Sequence, residues 1–126
     1  MARGSGSSGQ DAYRVVATFV IQAVSEVRIY EFTWKHILRD HGEPPYLRPI
    51  FEAAVISTIA HPTAVHASTT DPLRGYLFVS EENTREARPL VVAVKLVDGA
   101  SARLASAVYR TKASGPVLYR KGGDRI

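Results

Sequence analysis

The stretch Phe32-Thr33-Trp34-Lys35-His36-Ile37-Leu38-Arg39-Asp40-His41-Gly42-Glu43 carries two histidines. Histidine is the side chain whose ordinary pKa lies closest to neutrality, so it is a natural carrier of protons. Read as a helix at about 100° per residue, the segment places Trp34, Ile37, Leu38 and His41 on one face. His36 points away from them, with Thr33, Arg39 and Asp40. His36 is therefore the candidate for acid–base work, and its bland alternative is a surface histidine beside Asp40. His41 belongs with the packing face or with the helix C-cap.

Cations and hydroxyls that could serve such a histidine lie toward the other end of the chain. Alternation along a strand puts Ser106, Val108 and Arg110 on one face and Ala105, Ala107, Tyr109 and Thr111 on the other. Ser106 and Arg110 then offer a hydroxyl and a guanidinium four residues apart on one strand face, a pairing suited to phosphate. Lys95 interrupts an apolar run, and a lysine there is costly unless it is paired, functional or at the point where the strand reaches solvent. Arg74, in a turn, and Tyr76, just after it, could supply a phosphate contact and a stacking surface. Metal chemistry is not expected. The pairs His36/His41 and His61/His66 are each five apart, which turns two ligands about 140° from one another on a helix, and no carboxylate completes either set. No cofactor motif is present, because Gly122-Gly123 has no helix behind it.

The chain has 126 residues, 45% of them hydrophobic and 22% charged, which fits one folded domain and is too short for two good cores. Residues 1–10 read as a flexible Gly/Ser-rich leader and residues 11–126 as a single domain. The absence of cysteine excludes disulfides, thiolate catalysis and cysteine-ligated zinc. No run of eighteen apolar residues exists and the leader lacks an apolar core, so the expectation is a cytoplasmic protein without a membrane span. The net charge is +4, and Arg110, Lys112, Arg120, Lys121 and Arg125 stand against Asp124 alone in the C-terminal tail. Such a strip fits a polyanion, nucleic acid first, or a merely solubilising terminus.

Strand chemistry covers Tyr13 to Ile21, and Ala23 to Ile29 either extends that strand or forms a second. Thr33 is the expected N-cap of the first helix, which stops near Gly42 ahead of a Pro44-Pro45 turn. A second helix is expected from Tyr46 to Ala60, with Leu47, Ile50, Phe51, Ala54, Val55, Thr58 and Ile59 at helical spacing. Pro49 is tolerable in its first turn, and His61-Pro62 ends it. Strands then follow at Val65–Thr69 and Tyr76–Val79, a charged loop at Glu81–Arg88, and a central strand at Pro89–Val97. Asp98-Gly99 is a hairpin signal, Ala102–Thr111 is the return strand, and Val117–Arg120 is an edge piece. The expected architecture is α+β, with two N-terminal helices packed on one face of a mostly antiparallel four- to five-stranded sheet.

The helix reading Trp34-x-His36-Ile37-x-x-x-His41-x-Glu43, the second helix ending before a His-Pro step, and strands closing on Ser106 to Thr111 together resemble the phage-type Barnase–EndoU–colicin–RelE-like nuclease families. The resemblance covers roughly Val27 to Arg120, with Gly42 where the family pattern commonly has proline. It implies a metal-independent endoribonuclease, of a kind found as toxins of toxin–antitoxin systems. RNA would be the substrate, an antitoxin protein a partner, and the fold RelE- or barnase-like. In that reading His36 is the acid–base group, with Ser106, Arg110 and Lys95 beside it. Arg74, Tyr76, His41, Tyr109 and Thr111 would contact substrate. The rival is a non-catalytic module that uses the basic strip to bind RNA or an acidic protein. Oligomeric state is not legible.

Overall fold

The computed structural model describes residues 12–40, 47–111 and 113–122, excluding the Asp40 side chain. The expected leader, the helix exit at His41 and Gly42, the Pro44-Pro45 turn, Lys112, Asp124 and Arg125 lie outside the described residues.

The elements run β1 (Tyr13–Ile21), β2 (Val24–Tyr30), α1 (Glu31–Asp40), α2 (Arg48–Ala60), β3 (Ala64–Ala67), β4 (Gly75–Arg85), β5 (Arg88–Asp98), β6 (Ser101–Tyr109) and β7 (Val117–Arg120). They form one sheet in the order β1-β2-β6-β5-β4-β3-β7. All neighbours are antiparallel except β2 and β6, which run parallel with Val27 opposite Ala102 and Arg28 opposite Arg103. The sheet curls until its two edge strands, β1 and β7, approach each other.

This corrects the expected four- to five-stranded sheet. Among the described residues the fold is mostly sheet, 53% strand against 22% helix, with seven strands, and the helices follow a hairpin rather than precede the sheet. Two features account for the difference. The Gln22-Ala23 turn lets the N-terminal apolar stretch fold back on itself, with Ile21 opposite Val24. The parallel pairing of β2 with β6 then joins that hairpin to the C-terminal meander, a contact between residues some 75 apart that no local pattern encodes. The expected Glu81–Arg88 loop is also strand over most of its length, because β4 continues to Arg85 and β5 begins at Arg88. Arg85 and Arg88 of this stretch are paired across the turn, while Glu81 and Glu82 have no ladder partner.

One face of the sheet is covered by both helices. α1 buries Thr33, Trp34, Ile37 and Leu38 and leaves Lys35, His36 and Arg39 exposed. The helix begins at Glu31 rather than after a Thr33 cap, and Thr33 lies on its buried side. α2 buries Phe51, Val55, Thr58 and Ile59, while Ile50 is 69% exposed despite its apolar spacing. The Thr58 hydroxyl is satisfied by donating to the Ala54 carbonyl at 2.7 Å. These side chains meet Val27, Ile29, Phe78, Leu90, Val92, Val94, Leu104 and Ala107 in one core. Arg48 ties the two helix starts together, bonding Glu52 within α2 and Glu31 of α1 at 2.8 Å. The hydrogen bond to Glu52, followed by the one to Glu31, raises the guanidinium pKa above its ordinary value.

Candidate functional site

The β4–β5 hairpin closes with Arg85-Glu86-Ala87-Arg88, and two facts about it are unusual. First, its central residues both lie in the left-handed region, Glu86 at φ 54° and Ala87 at φ 66°. Turns of this kind match the strand twist but favour Asn and Gly, because a side chain in that region costs about 1–2 kcal/mol. Second, Arg85 and Arg88 are directly opposite one another in the ladder. Like charges facing across a strand pair repel. The turn therefore sets two arginines opposite one another on a strained backbone.

These groups stand at the rim of the helix-covered face. The β6 side chains that pack inward alternate as Ala107 and Tyr109, opposite Val92 and Leu90. Tyr109 is partly buried, its ring 6.3 Å from that of Phe51, which meets Trp34 edge-on at 6.2 Å. The Arg85 guanidinium lies over the Tyr109 ring, 4.7 Å from its centre. A cavity of about 200 Å³ opens here, lined by Phe51, Arg85, Glu86, Arg88, Val108 and Tyr109. Arg88 is exposed and makes no ion pair among the described residues. A cavity with one guanidinium over an aromatic ring and a second arginine in its lining suits a planar or tetrahedral oxyanion, phosphate above all, because arginine offers paired donors in a fixed geometry.

The residues singled out from the sequence are dispersed. Tyr109 lines this cavity. His36 is on the solvent side of α1, its Nδ1 3.1 Å from Arg39 Nη2. Ser106 pairs with Ala93, on the sheet face away from the helices. Lys95 is on that same face, opposite Gly75 and Arg103, and is ion-paired with Asp71 at 3.2 Å. The sheet thus lies between the helix layer bearing His36 and the pair Ser106 and Lys95, so these three do not form one cluster. Arg110 and Thr111 are exposed just past β6, where the Arg110 N–H donates to the Pro89 carbonyl at 3.1 Å. Arg74 spends its guanidinium on the Leu96 carbonyl at 2.8 Å, stitching its turn to β5. Tyr76 packs against the core. His41 lies outside the described residues.

Arg85, Glu86 and Arg88 were not singled out by the sequence reading, which placed them in a loop. The signal available is the Arg-x-x-Arg spacing between two strand-like runs, since a two-residue turn brings its flanking residues opposite each other. Among the described residues no three His, Asp or Glu side chains gather as a metal set, and no helix is long and apolar enough to cross a membrane. Comparison with protein-family models, with curated proteins and with solved structures gives no match to this chain.

Proposed function

We propose that this protein is a metal-independent endoribonuclease that holds a phosphodiester of RNA at Arg85, Arg88 and Tyr109. The observation that carries the reading is the Arg85 guanidinium over the Tyr109 ring, with Arg88 opposite it across a strained two-residue turn. Strained backbone and juxtaposed like charges persist where they serve a ligand. The nearby aromatic rings favour a nucleic acid with unstacked bases over a bare anion. The resemblance of the Trp34 to Glu43 and Ser106 to Thr111 sequences to small phage-type nucleases supports the same substrate class.

Cleavage in this reading needs no bound cation. A base takes the proton of the ribose 2′-hydroxyl, that oxygen attacks the adjacent phosphorus, and the 5′-oxygen leaves with a proton supplied by an acid. The products are a 2′,3′-cyclic phosphate and a free 5′-hydroxyl. The arginine pair stabilises the charge that builds on phosphorus. Proton transfer is proposed for His36, which lies on the solvent side of α1 and outside the lining of the arginine cavity, or for His41, the next histidine along the sequence, so the RNA would run from the arginines across to that helix.

Incubation of the purified protein with RNA in chelator tests this. Cyclic-phosphate ends, lost in either His36→Ala or His41→Ala while RNA retention persists, support the assignment. Intact RNA retained in a salt-sensitive way points instead to a binding module. Absence of both cleavage and retention at low salt refutes the reading.

A further inference from the structure

We propose that the groove on the other side of Tyr109 is a nucleobase subsite that prefers bases bearing an exocyclic amino group. This rests on the reading of the adjoining cavity as a phosphodiester site. The groove measures about 380 Å³ and runs between α2 and the middle of β4, with Tyr109 lining both it and the arginine cavity. A phosphate held by the arginines therefore has an open groove for an attached base beside one shared wall.

The β4 side of the groove is built by a break in the ladder. Ser80 faces Leu90 and Thr84 faces Pro89, so three residues of β4 bulge out with no counterpart on β5. Bulges of this sort re-aim side chains out of the regular alternation. Ser80, only 1% exposed, pins the excursion. Its hydroxyl oxygen accepts the N–H groups of Glu82 at 3.3 Å and Asn83 at 3.0 Å, and the Asn83 side-chain Nδ2 at 3.0 Å. One N–H of the Asn83 amide is thus committed inward, and its carbonyl oxygen takes no hydrogen bond among the described residues. Glu82 adds a carboxylate, held by the Lys121 ammonium at 3.0 Å in an exposed and exchangeable pair.

The groove accordingly presents acceptors: the Asn83 carbonyl and the Glu82 carboxylate. The opposite wall is Ile50, largely exposed, and Ala54, an apolar surface fit to lie against a ring. A base edge that complements acceptors must carry donors. Adenine, cytosine and guanine each carry an amino group with two N–H bonds, whereas uracil has one ring N–H flanked by carbonyl oxygens that the carboxylate repels.

Fluorescent octaribonucleotides A8, C8 and U8, titrated against the full chain at fixed salt, test the proposal. The wild type is expected to bind A8 and C8 about fivefold or more tighter than U8. Glu82→Gln, at an exposed position where the fold is indifferent, should bring the three within about twofold. Lys121→Ala, which releases the carboxylate, should widen the gap. Equal affinities in the wild type, with all three weakened alike by Arg88→Ala, overturn the base subsite and leave the phosphate site standing. Preference for A8 and C8 that survives both Glu82→Gln and Asn83→Leu also overturns it. Failure of the wild type to bind any of the three removes the phosphate reading and the subsite together.

Discussion

At the scale of single residues, the chemistry concentrates where the backbone is least comfortable. Arg85 and Arg88 oppose each other across Glu86-Ala87, and each should contribute to holding RNA through charge. Arg88→Ala is expected to weaken RNA binding about tenfold at low salt and to reduce the slope of log affinity against log salt by about one, for loss of one phosphate contact. A retention assay across a salt series measures both, and an unchanged slope removes Arg88 from the site. Ala87→Gly should act on stability in the opposite sense, because glycine tolerates the left-handed region. It is expected to stabilise the fold by about 0.5–1 kcal/mol in urea, the relief of strain less the entropy lost by glycine. Tyr109 was legible in the sequence, since alternation along β6 sets it apart from Ser106. Arg85 and Arg88 were not. Their charges and the intervening Glu-Ala read as loop, because the usual Asn-Gly signature of a two-residue turn is missing.

At the scale of elements, the helices were legible through their 3.6-residue periodicity, and their faces largely so. Trp34, Ile37 and Leu38 pack inward as their spacing requires, and His36 points outward. Thr33 departs from that pattern because the helix starts two residues earlier than its capping signal, so a residue read as a boundary is wrapped into the buried side. Trp34→Ala should cost about 3–5 kcal/mol, since it empties the edge-on contact with Phe51 at the base of the arginine cavity. Chemical denaturation measures the loss, and a cost below 1 kcal/mol contradicts the packing. The link to β7 depends on a glycine. Gly115 sits at φ 109°, and an added Cβ would lie 1.9 Å from the Ala67 carbonyl oxygen. Its own carbonyl meets His66 Nδ1 at 3.0 Å. Gly115→Ala is therefore expected to destabilise by at least about 2 kcal/mol, with the loss of amide protection concentrated in β7 and β3 by hydrogen exchange.

For the molecule as a whole, what the sequence concealed is the sheet's continuity. Hydrophobic alternation identifies strands but carries no label for distant partners, so the meander was visible and the parallel joint between β2 and β6 was not. The candidate site suffered from the same blindness. Grouping His36 with Ser106 and Lys95 needs knowledge of which face the helices cover, and that follows only from the three-dimensional pairing. Leu104, fully buried on β6 in the core beneath the helices, belongs to the strand that carries this joint. Leu104→Ala should cost about 2–5 kcal/mol, and because β1 and β2 reach the rest of the sheet through β6, the whole sheet should melt in one transition. Calorimetry showing a separate N-terminal melt would contradict this. The parallel joint also orders events during synthesis. The hairpin of β1 and β2 leaves the ribosome ahead of β6 and cannot complete its pairing until Ser101 to Arg103 have emerged. Until then its inner edge and apolar face wait unpaired, and such long-range closure is slow. The hairpin of β1 and β2 is thus synthesised some 75 residues ahead of the strand that secures it, and two early strands are among the last to be fixed in the sheet.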